Sequence, residues 1–253
     1  MSRVLLVTGG GRGIGAATCL LAAQRGYAVA VNYQANSLAA DEVVRQVRAH
    51  GGAAMAVQAD VADEAQVLRM FAQVDAKLGR LDALVNNAGV VDVAQRVDEM
   101  DVARWQRMFN TNVIGSMLCA REAVRRMSTR HGGSGGAIVN VSSVAAKLGS
   151  AGQYVDYAAS KAAVHMMSRD LAGDLADRNI TVNAVIPGFF PTKMTAHMRD
   201  EDTVDPALLA HIPMKRMGTA EDIAGIVIFL CSRAGAYVTG AQLPVDGGIV
   251  GCS

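Results

Sequence analysis

The chain of 253 residues is long enough for one large α/β domain or two small ones, and its 51% of hydrophobic residues is ample for a sizeable core. Its 24 lysines and arginines nearly balance its 23 aspartates and glutamates, and this net charge of +1 gives no reason to expect a nucleic-acid or anionic-membrane partner. The apolar runs are far shorter than the roughly 20 residues of a membrane span, and the four cysteines lack disulfide or metal spacing, so we expect a cytoplasmic protein without membrane or metal.

The first predicted strand, residues 4–7, leads into a glycine-rich turn and then into a helix over residues 16–24. A strand, a glycine turn and a helix in this order bring a helix N-terminus, with its unpaired N–H groups, against a diphosphate. Glycine allows both a positive-φ turn and the close approach of a phosphate. Gly11-x-Gly13-x-x-Ala16 fits the generic dinucleotide fingerprint, although a tight strand–helix turn alone would give the same pattern.

Further apolar segments alternate between strand and helix patterns along the whole chain. Strands are predicted over residues 27–31, 53–57, 81–85, 137–141, 180–186 and 242–245, and helices over 37–50, 63–78, about 102–130, 154–177 and 221–232. Strands that alternate with helices at this spacing imply a parallel sheet covered on both faces. No linker-like break divides the chain. The predicted fold class is therefore α/β, a single Rossmann-like domain over residues 1–253, with a doubly wound parallel sheet of about seven strands.

The end of the second predicted strand indicates which dinucleotide would bind. NAD-preferring Rossmann proteins carry an acidic residue about 20 positions past the glycines, where it binds the ribose 2′-OH. Here Asn32 and Tyr33 end the strand, and no acidic residue follows before Asp41. Arg12, within the glycine turn, is available to pair with a 2′-phosphate, although an ordinary solvated arginine would look the same. The sequence favours NADP(H), with NAD(H) as the alternative.

A tyrosine and a lysine, Tyr157 and Lys161, are spaced so that they share one face of a predicted helix. A nearby ammonium favours the phenolate, and bringing a phenol pKa from 10 towards 7 requires about 4 kcal/mol. An unrelated surface pair would have the same spacing, and Tyr154 also shares a face with Lys161 and remains a rival. Ser142 and Ser143 follow the fifth predicted strand, at the carboxyl edge of the sheet where ligands bind.

Three motifs in the expected order resemble the short-chain dehydrogenase/reductase family. They are Thr8-Gly9-x-x-x-Gly13-x-Gly15, Asn86-Asn87-Ala88-Gly89 and Tyr157-x-x-x-Lys161, and the resemblance covers nearly the whole chain. It implies an oxidoreductase that interconverts a carbonyl group and a secondary alcohol. The implied catalytic residues are Ser143 for the substrate oxygen, Tyr157 for the proton, Lys161 to tune the tyrosine, and Asn112 to hold a water that links Lys161 to solvent. The gap from Ser143 to Tyr157 is slightly longer than usual in the family.

The same resemblance implies a set of cofactor contacts, with Asp60 at the adenine amino group, Val61 at its ring and Thr192 at the nicotinamide carboxamide. The full set is Gly9, Gly11, Arg12, Gly13, Ile14, Gly15, Asn32, Tyr33, Asp60, Val61, Asn87, Ala88, Gly89, Tyr157, Lys161, Pro187, Gly188 and Thr192. It also implies a substrate lid around residues 188–214, a small-molecule carbonyl or alcohol substrate, and a homotetramer.

Several alternatives remain open at this point. Within the family the chain resembles 3-oxoacyl-thioester reductases and sugar dehydrogenases alike. Arg125, Arg126 and Arg130 fit docking of an acidic carrier protein and fit solvated helix arginines equally well. An NAD-linked sugar or alcohol dehydrogenase, dehydratase or epimerase chemistry, and a non-catalytic cofactor sensor are the other readings of this scaffold.

Overall fold

The computed structural model describes residues 2–190 and 206–251. Within them seven strands form one parallel sheet: β1 Arg3–Val7, β2 Tyr27–Tyr33, β3 Ala54–Gln58, β4 Leu81–Asn86, β5 Gly136–Val141, β6 Ile180–Pro187 and β7 Gln242–Val245. The strand order is β3-β2-β1-β4-β5-β6-β7, so the direction of winding reverses between β1 and β4. The predicted α/β fold is confirmed, and its ligand crevice is expected at this reversal, outside the carboxyl ends of the strands.

Helices cover both faces of the sheet. They are α1 Gly13–Gln24, α2 Ser37–Ala49, α3 Glu64–Leu78, α4 Val102–Phe109, α5 Gly115–Met127, α6 Ala145–Leu148, α7 Val155–Leu175, α8 Pro206–Ala210 and α9 Ala220–Cys231. The helical stretch predicted over about residues 102–130 is present, but it is not one uninterrupted α-helix. A π-helical segment, Asn110–Ile114, joins α4 to α5, and the helix ends at Met127. The α6 helix occupies the long gap between Ser143 and Tyr157.

The strands are apolar on both faces because each face is buried under helices. In β1, Leu6 packs with α3, α5 and α7, whereas Leu5 and Val7 pack with α1, α2 and α9. This alternation follows the two-residue period of a strand. Phe71 and Met70 of α3 are among the largest fully buried side chains on the first face.

Buried amides fix the carboxyl ends of the central strands. Asn86 Nδ2 donates to Asn140 Oδ1 over 2.9 Å, and Asn140 Nδ2 donates to Ser168 Oγ of α7 over 2.8 Å. Because a buried polar group without a partner is costly, this chain of hydrogen bonds allows one register of β4, β5 and α7. Asn86, the last residue of β4, thus ties this strand to β5.

Cys19, Cys119 and Cys231 are buried free thiols, as the scattered cysteines predicted; Cys252 lies outside the described residues. Among residues 2–190 and 206–251, no helix combines the length and hydrophobicity that crossing a bilayer requires.

Candidate active site

A cleft of about 620 Å³ opens at the carboxyl edge of the sheet, beside the reversal of strand order. It joins the glycine turn to the ends of β4, β5 and β6 and to the start of α7. The predicted site residues in its wall are Gly9, Arg12, Gly13, Ile14, Asn87, Ala88, Gly89, Ser143, Tyr157, Lys161, Pro187 and Gly188. Gly11, Gly15, Asn32, Tyr33, Asp60, Val61 and Asn112 lie outside this wall, and Thr192 lies outside the described residues.

The glycine turn has the geometry of an anion cradle. Gly9 and Gly13 have φ of +63° and +53°, a region that favours glycine. An added Cβ at Gly15 would lie 2.6 Å from Asn87 Nδ2 and closer still to the carbonyl oxygen of Gly9, whereas one at Gly13 would meet nothing within 4 Å. The turn is thus tightly packed beneath and open above, where α1 presents its first N–H groups. These residues fit a diphosphate.

Three polar side chains hold this turn from below. Asn87 Nδ2 donates to the carbonyl oxygens of Thr8 and Gly9, and Thr8 Oγ1 accepts from the backbone N–H groups of Asn87 and Ala88, at 2.9–3.0 Å. Asn32 Oδ1 accepts from Gly9 N over 3.1 Å. Asn32 is buried, and its Nδ2 donates to the Ala59 carbonyl, so its side chain supports the turn from below.

The predicted adenine end is formed where β2 and β3 finish. The Asp60 carboxylate accepts from Gln34 Nε2 over 2.8 Å and from the Ala62 N–H over 2.9 Å. Val61 is buried against Gly115, at which an added Cβ would lie 2.8 Å from Val61 Cγ2. Val61 therefore packs α5 against this edge of the sheet.

Tyr157 and Lys161 both enter the cleft wall from α7, and Lys161 Nζ lies 5.8 Å from the centre of the Tyr157 ring. Desolvation raises the pKa of the Tyr157 phenol, while a side-chain hydrogen bond with Ser143 acts in the opposite direction. Desolvation therefore dominates in the protein alone, and the prediction that Lys161 lowers this pKa together with a bound nicotinamide stays a prediction. Burial lowers the pKa of Lys161 to about 8. Lys161 Nζ donates to the Val141 carbonyl over 2.9 Å.

The two candidate serines differ in exposure and partners. Ser143 lies in the cleft wall, and its Oγ accepts from Ala145 N over 3.2 Å. Ser142 is buried, and its Oγ donates to the Lys161 carbonyl over 3.2 Å. The hydrogen bond between Ser143 and Tyr157 places Ser143, and not Ser142, beside the phenol. Tyr154 lines the same cleft just before the start of α7.

Asn112 lies in the π-helical segment and is fully buried. Its Oδ1 accepts from Val90 N over 2.8 Å, and its Nδ2 donates to Val90 O and to Ser160 Oγ, each over 3.0 Å. A Cβ added at Gly89 would lie 3.3 Å from Asn112 Oδ1 and 3.4 Å from Lys161 Nζ, so glycine at this position leaves room for both side chains. π-Segments inside helices are often found at functional sites.

Pro187, the last residue of β6, and Gly188 line the cleft. An added Cβ at Gly188 would lie 2.7 Å from Asp246 Cα, so this glycine allows the C-terminal segment to pack closely. Of the lid predicted over residues 188–214, residues 191–205 are outside the described part of the chain. In that part, no group of three or more His, Cys, Asp or Glu side chains is arranged to hold a metal ion.

The sequence reasoning missed a buried ion pair between Arg104 of α4 and Asp156 of α7, the residue before Tyr157. The available signal was an arginine and an aspartate on inward-facing positions of two predicted helices. Their separation in sequence concealed the pairing.

The glycine turn lies at the reversal of strand order and opens into a cleft lined by a serine, a tyrosine and a lysine, and this arrangement defines a Rossmann-type α/β protein. A family model described as enoyl-(acyl carrier protein) reductase matches residues 9–250. The chain is 49% identical over 245 residues to the uncharacterised oxidoreductase YgfF of Escherichia coli K12, covering 97% of this chain and 99% of the relative.

It is also 41% identical over 250 residues to a 3-oxoacyl-[acyl-carrier-protein] reductase of Synechocystis sp. PCC 6803, covering 98% and 97% of the two chains. Among solved structures, a gluconate 5-dehydrogenase from Burkholderia cenocepacia in complex with NADP and tartrate superposes with a TM-score of 0.90 at 33% identity, covering 98% and 95%. The chain belongs to the short-chain dehydrogenase/reductase family, as its motifs predicted, and is an oxidoreductase of that family.

Proposed function

We propose that this protein is an NADP(H)-dependent oxidoreductase that interconverts a carbonyl group and a secondary alcohol on a small molecule. The observation that carries the proposal is the single cleft that joins the glycine turn to Ser143, Tyr157 and Lys161. A binding protein has no need for a phenol, a hydroxyl and an ammonium converging next to such a turn.

Each catalytic side chain has a separate task. A bound nicotinamide supplies the hydride for reduction or accepts it in oxidation. Tyr157 donates its phenolic proton to the oxygen of the carbonyl being reduced, and in the reverse direction its phenolate accepts that proton. Ser143 donates a hydrogen bond to the same oxygen. Since the pKa of Lys161 is about 8, its ammonium is charged at neutral pH and stabilises the phenolate left on Tyr157.

We assign Asn112 to the path that returns protons to Lys161. The support for this role is that both side chains are buried and that each lies close to Gly89. Asn112 also fixes Val90 and Ser160, so it holds the segment after β4 against α7.

The preference for NADP(H) is supported by the charges around the glycine turn. Neither α1 nor α2 has an acidic residue in its first turn. Arg12 is exposed, and the structure gives its guanidinium no hydrogen-bond or ion-pair partner among residues 2–190 and 206–251. The Asp60 carboxylate is already bound by Gln34 and Ala62. A 2′-phosphate would therefore find the Arg12 guanidinium available and no acidic side chain in the first turn of either helix.

The substrate end of the cleft favours a free, partly apolar carbonyl compound. Val144, Leu148, Phe189 and Phe190 line it together with Tyr154. The arginines considered for docking a carrier protein are engaged within the chain. Arg125 and Arg126 pair with Glu122, Arg126 also pairs with Asp75, and Arg130 pairs with Asp177.

We further propose that the protein is a homotetramer built partly on α5 and α7. Met117 of α5 and Met166 of α7 are about half exposed, and an apolar groove of about 450 Å³ lies between the two helices. Light scattering on the purified protein tests this, and a monomer at micromolar concentration would contradict it.

The test of function is turnover of reduced nicotinamide. Purified protein is incubated with NADPH or NADH and a panel of ketones, 3-oxoacyl thioesters and sugars, and absorbance at the reduced-nicotinamide band is followed. We expect NADPH oxidation with at least one carbonyl compound and a lower rate with NADH. Binding of NADPH without oxidation by any member of the panel would contradict the proposal.

A further inference from the structure

Arg104 and Asp156 form a buried ion pair beside the cleft. Arg104 Nε lies 2.7 Å from Asp156 Oδ2, a second guanidinium nitrogen lies 3.2 Å from Asp156 Oδ1, and the side chains are 3% and 1% exposed. The fork of the guanidinium matches the carboxylate in this two-point contact, which fixes orientation as well as distance.

The remaining contacts of Arg104 reach the segment after β4. The same guanidinium donates to the Val93 carbonyl over 2.7 Å and to Gln95 Oε1 over 2.8 Å. Gln95 N in turn donates to the Gln153 carbonyl over 2.9 Å, just before α7. Arg104 therefore holds three pieces of chain together: α4, the segment after β4, and the start of α7.

Asp156 connects this junction to the catalytic tyrosine. Its Oδ1 accepts from the backbone N–H of Tyr157 over 2.9 Å. The segment after β4 contributes Val91 to the cleft wall, and its Val90 binds Asn112. The pair thus joins the backbone that carries Tyr157 to the opposite wall of the same cleft.

Stability alone does not account for such a pair. Burying two charges costs desolvation energy, and replacing a buried ion pair by well-packed apolar residues is often neutral or stabilising. The two-point contact orients the start of α7 against the segment after β4. Such a contact helps to place reacting groups, whose misplacement by about 1 Å can lower the rate of a reaction strongly.

We propose that Arg104 and Asp156 are positioning residues for the reaction, which hold the phenol of Tyr157 at its place opposite the segment after β4. This proposal rests on the proposed function for its kinetic consequences. Arg104 and Asp156 act through Tyr157, because neither side chain of the pair lines the cleft.

Two single variants and one matched control measure the kinetic effect. Asp156→Asn keeps the size and an acceptor for Tyr157 N but removes the charge, and Arg104→Met removes the guanidinium. We expect kcat to fall by roughly 10- to 100-fold in both, with the KM for the dinucleotide unchanged because the glycine turn is untouched. Arg126→Met breaks a partly buried ion pair on α5 away from the cleft and should keep kcat.

An apolar double variant, Arg104→Met with Asp156→Leu, separates positioning from stability. We expect its melting temperature to recover towards that of the wild type while kcat stays low. If kcat recovers together with the melting temperature, the pair is only structural and the proposal is overturned.

A readout that needs no substrate keeps the test independent of the proposed function. In protein labelled with ¹³C-tyrosine, the Tyr157 ring resonance is assigned by its loss in Tyr157→Phe. We expect it to keep its position in Arg126→Met and to move in the double variant. An unmoved resonance in the double variant would overturn the proposal. A wild-type protein that oxidises no NADPH would refute the proposed function alone.

Discussion

The two halves of the cleft are built in different ways. The half at the glycine turn is made of backbone: its open N–H groups, its positive-φ glycines and the side chains of Thr8, Asn32 and Asn87 that hold it from below. The half at Tyr157 is made of side chains from four separate segments, joined by Asn112 and by the Arg104–Asp156 pair. The first half depends on local sequence, whereas the second depends on how distant helices pack.

Because of this difference, we expect substitutions in the two halves of the cleft to affect different kinetic and binding constants. Damage to the glycine turn should weaken dinucleotide binding and leave the chemistry of the bound complex intact. Damage at the tyrosine half should lower kcat far more than it weakens dinucleotide binding.

The largest effect is expected at Tyr157. Tyr157→Phe removes the proton donor and should lower kcat by roughly 10²- to 10⁴-fold, while NADPH binding measured by fluorescence titration stays unchanged. Tyr154→Phe is the matched control, because Tyr154 lines the same cleft, and it should change kcat only slightly. A greater loss at Tyr154 than at Tyr157 would reverse the assignment of the two tyrosines.

A substitution at Gly15 should disturb the half of the cleft at the glycine turn. The Cβ of Gly15→Ala would press on the Gly9 carbonyl and on Asn87, and overpacking of this kind costs about 1–3 kcal/mol. We expect calorimetry to give a larger dissociation constant for NADPH, with little change in kcat at saturating NADPH. In the melting temperature of the protein alone, Gly13→Ala should have a milder effect than Gly15→Ala, because its Cβ meets nothing within 4 Å although its φ is +53°. Equal effects of the two changes would contradict the packing argument.

Arg12 should set the choice of dinucleotide. Arg12→Ala removes a charge-assisted contact worth roughly 1.5–3 kcal/mol, so the preference for NADPH over NADH should fall by about tenfold or more. The ratio of kcat/KM for the two dinucleotides measures it. An unchanged ratio would show that the 2′-phosphate does not contact Arg12.

The smallest effect is expected from pH. Burial lowers the pKa of Lys161 to about 8. Its positive charge is therefore present below pH 8 and is lost as the pH rises through that value. The kcat/KM for the dinucleotide, which reports the free enzyme, should therefore decline above pH 8. The residual activity of Lys161→Arg should lack this decline. A wild-type decline beginning near the ordinary lysine pKa of ~10.4 would contradict the effect of burial.

The features that the sequence predicted and those that it did not predict differ in the same way as the two halves of the cleft. The glycine turn and the shared helix face of Tyr157 and Lys161 were predictable, since both depend on short-range geometry. The support that the Asn32 amide gives the turn was not predictable, because its partners Gly9 and Ala59 lie on other segments of the chain. The raised pKa of Tyr157 depends on burial, which spacing along one helix does not reveal.

The π-helical segment and the Arg104–Asp156 pair were not predictable for a related reason. Asn112 bonds to Val90 and Ser160, and Arg104 pairs with a residue 52 positions away. Such contacts exist only once the sheet has brought the segments together, whereas helix periodicity describes each segment alone.

The most direct test of the account follows the transferred hydrogen. NADPH labelled with deuterium at the transferable C4 position is incubated with the protein and each carbonyl compound of the panel, and the product is examined by mass spectrometry and NMR. The account predicts deuterium on the new carbinol carbon with wild-type protein and far less with Tyr157→Phe. Product that carries no deuterium, or NADPH that stays fully reduced with every compound, would contradict it.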